Sequence, residues 1–158
     1  MTLHRTTQLP ISVGRAQKRD VRAQFAALCY RVVKDKPQIL LLTSRDTGRW
    51  IIPKGWPMDG LTPAQTAAAE AWEEAGVDGQ VTDFALGIYS YAKRMDDETV
   101  LPCIVTVFPL KVKRLADDFP EMGQRKRKWF SLAKGAEKVT EPELAAIIRR
   151  FDPRRLRL

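Results

Sequence analysis

The chain holds one histidine, His4, and two cysteines, Cys29 and Cys103, in 158 residues. A lone histidine beside the N-terminus removes Ser-His-Asp sites, Cys-His nucleophiles and His-ligated metal centres from the interior of the fold. Both cysteines sit in apolar runs, as buried thiols of a reducing compartment do, so no disulfide is expected. No run approaches the roughly 18–20 apolar residues of a membrane span, and the N-terminal stretch lacks the apolar core of a signal peptide. The expectation is a cytoplasmic protein with no membrane partner. No internal repeat is visible, and nothing in the sequence fixes an oligomeric state.

What is present in quantity is charge. There are 27 Lys and Arg against 19 Asp and Glu, a formal net charge of +8. A surplus of this size points to nucleic acid, an anionic surface or a polyanionic small molecule. Its distribution narrows the choice: residues 1–22 hold five basic residues and one Asp, residues 149–158 hold five Arg and one Asp, and the stretch between is balanced at 17 against 17. With 44% apolar residues the chain can bury a core. We therefore expect a basic N-terminal tail or arm over 1–22, one domain over 23–151, and a basic C-terminal tail over 152–158.

Phe25 to Val33 and Pro37 to Thr43 read as strands joined near Asp35 and Lys36. Trp50 to Ile52 is a short strand running into Pro53-Lys54-Gly55. Thr62 is a good N-cap, Pro63 suits the first helical position, Gln65 completes a capping box and Gly76 is a natural stop, so a helix is expected between them. Its alanines permit close approach to a sheet, and Trp72 is expected in the core. The stretches from Val81 to Met95 and from Thr99 to Val112 form a hairpin about Asp96-Asp97. Lys128 to Ser131 is a short strand, and Glu141 to Phe151 an amphipathic helix. This order lacks the regular alternation of a doubly wound sheet and indicates an α+β fold with a mixed β-sheet.

Glu70, Glu73 and Glu74 are spaced i, i+3, i+4, which puts three like charges within one helical turn. On their own they repel, and they lie near the negative end of the helix dipole. A hard divalent cation reverses the sign, and all-oxygen ligands suit Mg²⁺, with Mn²⁺ as the alternative. Such an ion neutralises phosphoryl oxygens and activates water.

The run from Trp50 to Gly60 followed by Ala67 to Val77 resembles the Nudix hydrolase signature, GX5EX7REUXEEXGU with U apolar. Gly55, Glu70, Glu73, Glu74, Gly76 and Val77 fall at the matching places without insertion. Two positions depart: Leu61 stands where the pattern has its first Glu, and Ala69 where it has Arg. The resemblance implies an α/β/α sandwich, with Glu70 as general base or metal ligand, Glu73 and Glu74 as metal ligands, and Gly55 and Gly76 shaping the motif. Glu121 and Glu143 are further acids that could approach the site, each read rather as a surface residue.

Gln124-Arg-Lys-Arg-Lys-Trp-Phe130 is the densest basic run in the domain, and as a strand it points Arg125, Arg127 and Trp129 one way and Lys126, Lys128 and Phe130 the other. With Thr43-Ser-Arg45 it resembles the diphosphoinositol polyphosphate and diadenosine polyphosphate phosphohydrolase branch of that family, although Lys128 replaces an acidic residue there. The resemblance implies a polyphosphorylated small molecule as substrate. Arg45, Lys54, Lys93, Arg94, Arg125 and Arg127 are the candidates to hold its phosphates. A pyrophosphohydrolase acting on phosphoanhydrides is thus the leading expectation. A catalytically weakened polyphosphate-binding module, motivated by Leu61 and Ala69, and an enzyme of RNA 5′ ends are the alternatives.

Overall fold

The computed structural model describes residues 22–156. The expected N-terminal tail lies outside the described residues except for Arg22, as do residues 157 and 158 of the C-terminal one. The described chain runs β1 (Ala23–Val33), β2 (Lys36–Thr43), β3 (Trp50–Ile51), β4 (Lys54–Gly55), α1 (Pro63–Ala75), β5 (Val77–Val81), β6 (Gly87–Arg94), β7 (Val100–Leu115), β8 (Arg127–Ser131), α2 (Leu132–Lys138) and α3 (Pro142–Arg150).

The strands form one mixed sheet in the order β3-β2-β1-β7-β5, with β4 on β1, β6 on β7 and β8 on β2. At its centre β1 and β7 run parallel, from Ala23 opposite Ile104 to Tyr30 opposite Lys111. The β1 strand is apolar on consecutive positions because both of its faces are covered. Phe25, Ala27 and Cys29 pack with the alanines of α1, whereas Ala26, Leu28 and Tyr30 pack with Leu144, Ile147 and Ile148 of α3. The result is the expected α+β sandwich, helices on both faces of a mixed sheet.

Local chemistry sets the element ends. The β1–β2 turn falls on Lys34 and Asp35, both left-handed at φ 51° and 65°, one residue earlier than the Asp35-Lys36 pair suggested. This is the twist a two-residue hairpin needs. Thr62 caps α1 by accepting from the Gln65 amide, and the Gln65 side chain accepts in return from the Thr62 amide. The β6–β7 hairpin turns through Met95 to Thr99. The short helix α2, capped by Ser131, was not anticipated, since seven residues are too few to show a helical period.

One expectation is corrected. Trp72 is 38% exposed, because the sheet-facing stripe of α1 is Ala64, Ala67, Ala71 and Ala75 and Trp72 stands about 100° round from Ala71. Within the expected C-terminal tail, the described residues run to Leu156. Residues 153–155 form a 3-10 turn capped by Asp152, and Leu156 packs on the core. Both cysteines are free, buried thiols. Among the described residues no helix is long and apolar enough to cross a membrane.

Candidate functional site

The acidic turn of α1 lies over β4. Gly55 pairs with Phe25 of β1, and α1 packs so closely there that a Cβ at position 55 would fall inside the Glu70 carboxylate. Glycine is therefore demanded by the approach of a carboxylate to the strand backbone. At the other end of the turn, Gly76 adopts φ +66° and its N–H donates to the carbonyls of Ala71 and Trp72. A side chain at 76 would also strike Phe119.

The three glutamates meet different surroundings. Glu73 is exposed, Glu70 half-buried and Glu74 buried. Burial, reinforced by the charges of Glu74, Glu73 and Glu121, pushes the Glu70 carboxyl up to about 8. Burial raises Glu74 to about 7, opposed by the charges of Arg125 and Lys54. One Glu74 oxygen accepts from the Lys54 backbone N–H at 3.2 Å, and the other faces the Arg125 guanidinium at 3.6 Å.

The basic candidates separate into groups. Lys54 lies with its ammonium 4.9 Å from the centre of the Tyr91 ring; desolvation lowers it to about 8, with Arg49 and Lys93 pushing the same way and Glu74 opposing. Lys54, whose amide binds Glu74, thus has Lys93 and Arg49 near its ammonium. Arg94 is not among them: strand alternation along β6 leaves Arg94 exposed on the face opposite Tyr89, Tyr91 and Lys93. Arg45 is apart from them, its side chain 61% exposed and near Glu121 and Gln124.

Arg125 and Arg127 are already engaged by the protein. Arg125 is buried against Glu74 and Glu121. Arg127 donates to the Ala75 carbonyl at 2.6 Å, at the end of α1, and stacks on Phe119. Both guanidiniums thus have partners within the chain. The alternation within β8 was legible; which face α1 would cover was not.

Two residues gain a place that the sequence reading did not give them. Glu121 is 19% exposed on its side chain and sits against Arg125, its backbone N–H bound to the Glu73 carbonyl. Its i, i+4 spacing from Arg125 was the available signal. Arg49 pairs at 4.0 Å with Glu141, and nothing in its sequence surroundings marked it. Glu143 by contrast accepts from Ser90, between α3 and β6.

The donor set fits a hard divalent cation in its chemistry. It is all oxygen, and burial, with repulsion from neighbouring carboxylates, raises Glu70 and Glu74, a cost that a cation removes. Among the described residues, no three acidic, cysteine or histidine side chains already converge on one point. Glu70, Glu73 and Glu74 are the residues that would hold the ion.

The chain matches the model of the NUDIX domain over residues 22–151. It is 30% identical over 131 residues to "Nudix hydrolase 12, mitochondrial" of Arabidopsis thaliana, covering 78% of this chain and 64% of that protein. It is 32% identical over 113 residues to "Diphosphoinositol polyphosphate phosphohydrolase 3-alpha" of Mus musculus, covering 70% and 65%. The chain therefore spans a little under two thirds of the length of these relatives. Among solved structures, an Ap4A hydrolase of C. elegans superposes with a TM-score of 0.62 at 21% identity, over 82% of this chain and 94% of that one. A dihydroneopterin triphosphate pyrophosphohydrolase of E. coli gives 0.63 at 17%, over 82% and 94%. At these identities the structural likeness is one of fold.

Proposed function

The chain belongs to the Nudix family, and from that premise we propose that it is a Mg²⁺- or Mn²⁺-dependent hydrolase. The bond it cleaves is a phosphoanhydride of a polyphosphorylated small molecule, a dinucleoside polyphosphate or an inositol pyrophosphate. The observation that carries the reading is the acidic turn of α1 seated on the Gly55 backbone, with Lys54 bound to Glu74 beside it. The two substrate classes are those named for the mouse relative and the nematode neighbour.

When bound, the cation would neutralise phosphoryl oxygens and make water a better nucleophile. The protein's own groups account for the rest. Lys54, whose ammonium is still largely protonated at neutral pH, and Lys93 hold the negative phosphates against the acidic turn. Glu70, whose raised carboxyl the charge of a bound cation would return to its ionised form, is the group to accept a proton. Water attacks phosphorus, the anhydride P–O bond breaks with its electron pair going to the leaving phosphate oxygen, and Glu70 takes the proton that the water loses.

The test is a panel of Ap4A, an inositol pyrophosphate and a 5′-triphosphorylated RNA, with Mg²⁺ or Mn²⁺ and product analysis. Cleavage of a small-molecule anhydride that Glu70→Gln abolishes is the expected result. Equal, background-level rates for the wild type and Glu70→Gln on every member would overturn it. Preference for the RNA would transfer the activity to RNA 5′ ends.

A further inference from the structure

The helix that carries the three glutamates has no basic residue anywhere between Pro63 and Ala75. Three carboxylates within one turn, one of them buried, need a cation from elsewhere in the fold. We propose that Arg125, delivered by the segment between β7 and β8, is the positioning residue for Glu74, and that Glu121 holds Arg125 for that task. This deepens the reading of the acidic turn as a metal-dependent site and rests on it.

The contacts leave Arg125 little freedom. Its side chain is 8% exposed. Its Nε and Nη2 donate to Glu121 Oε1 at 3.3 and 3.2 Å, and its Nη1 donates to the Thr43 carbonyl at 3.3 Å. With the fork fixed on those two acceptors, Nη2 also stands 3.6 Å from Glu74 Oε1. The opposite oxygen, Oε2, accepts from the Lys54 amide. The Glu74 carboxylate is thereby held at both ends, one by backbone and one by guanidinium, and cannot rotate without giving up one of them.

The segment that brings Arg125 is itself fastened on both sides. The Glu121 amide donates to the Glu73 carbonyl at 3.0 Å, and the Thr43 amide donates to the Lys126 carbonyl at 3.0 Å. The Lys126 amide donates to Thr43 Oγ1 at 2.9 Å. Arg125 thus ties the acidic helix, the end of β2 and its own segment at a single buried fork. A lysine could supply the charge but not three directed bonds in one plane. The same burial separates its role from that of Arg45, whose guanidinium also reaches Glu121 and Gln124 but lies open to solvent.

The experiment measures Mn²⁺ affinity of the full chain by electron paramagnetic resonance of the free ion, alongside kcat and KM on the anhydride that the wild type cleaves. For Arg125→Ala we expect Mn²⁺ binding weaker by about 10–100-fold and a lower kcat. Its KM at saturating metal should stay within about threefold of wild type, on the same order as ordinary experimental scatter. Arg125→Lys should recover only part of the loss. Glu121→Gln should weaken Mn²⁺ binding less than Arg125→Ala, and the double variant should bind no worse than Arg125→Ala alone, because the two act as one unit.

A raised KM with Mn²⁺ affinity and kcat unchanged would make Arg125 a substrate contact and overturn the proposal. Additive losses in the double variant would overturn the Glu121 part. If Arg125→Ala does not fold, Arg125→Lys and Glu121→Gln carry the same readouts, and wild-type Mn²⁺ affinity in both refutes the positioning role. Failure of the underlying reading looks different: the wild type itself would bind no Mn²⁺ and cleave nothing.

Discussion

Replacing Glu70 by glutamine should make the metal-free protein more stable and less active at once. The Glu70 carboxyl sits at about 8 in the folded chain against 4.5 for an unburied carboxyl. A folded value above the unfolded one means that the native state is favoured while the group is protonated, and loses that advantage as the pH rises through 8. The full gap corresponds to about 5 kcal/mol at about 1.4 kcal/mol per pH unit. Glu70 is only half-buried and shares its repulsion with Glu74, so solvent screening reduces this to about 1–3 kcal/mol. In EDTA at pH 8 to 9, thermal melts of Glu70→Gln should lie about 3–10 °C above those of the wild type for a domain of this size. At pH 5 the difference should shrink toward zero. Mg²⁺ should raise the wild-type melting temperature and leave the variant almost unmoved. A gap that does not change with pH, or a variant less stable than the wild type at pH 8, would refute the account of the acidic turn as electrostatically strained.

Gly55→Ala should displace the Glu70 carboxylate and lower kcat/KM by about tenfold or more, with the far-ultraviolet circular dichroism unchanged. Gly76→Ala forces a side chain into a left-handed conformation and against Phe119, so urea unfolding should show a loss of about 1–3 kcal/mol. Thr62→Ala removes the acceptor of the capping box and should cost about 1 kcal/mol in the same assay, with kcat unaffected because the cap is at the far end of α1. Lys54→Met keeps the backbone N–H that binds Glu74, so it should raise KM for the polyphosphate several-fold while leaving Mn²⁺ affinity near wild type. An equal loss of both would mean that the ammonium acts through Glu74 instead.

Much of this was legible in the residues because it depends on neighbours in sequence. The ends of α1 follow from Thr62, Pro63, Gln65 and Gly76, whose caps are made within a few positions of the helix itself. The acidic turn follows from the spacing of Glu70, Glu73 and Glu74, and the amphipathic period of residues 141–151 gave α3. Where the outcome depended on which elements pack together, the sequence could not supply it. Trp72 looked like core until α1 was seen to rest on its alanines. Lys93 and Arg94 both stood among the phosphate candidates, and β6 places them on opposite faces.

The sequence alone determined the chemistry available: carboxylates at helical spacing, no histidine within the domain, glycine at 55 and 76, and basic residues in clusters. Tertiary structure decided how those charges were assigned. The packing of the segment between β7 and β8 buried its Arg125 against Glu74 and drew Glu121 inward with it. The crossing of α1 over β4 brought Gly55 against Glu70, fifteen positions away in the chain. Electrostatic environment depends on what surrounds a charge in three dimensions. Residue type and spacing fix only what each group can do once it is there.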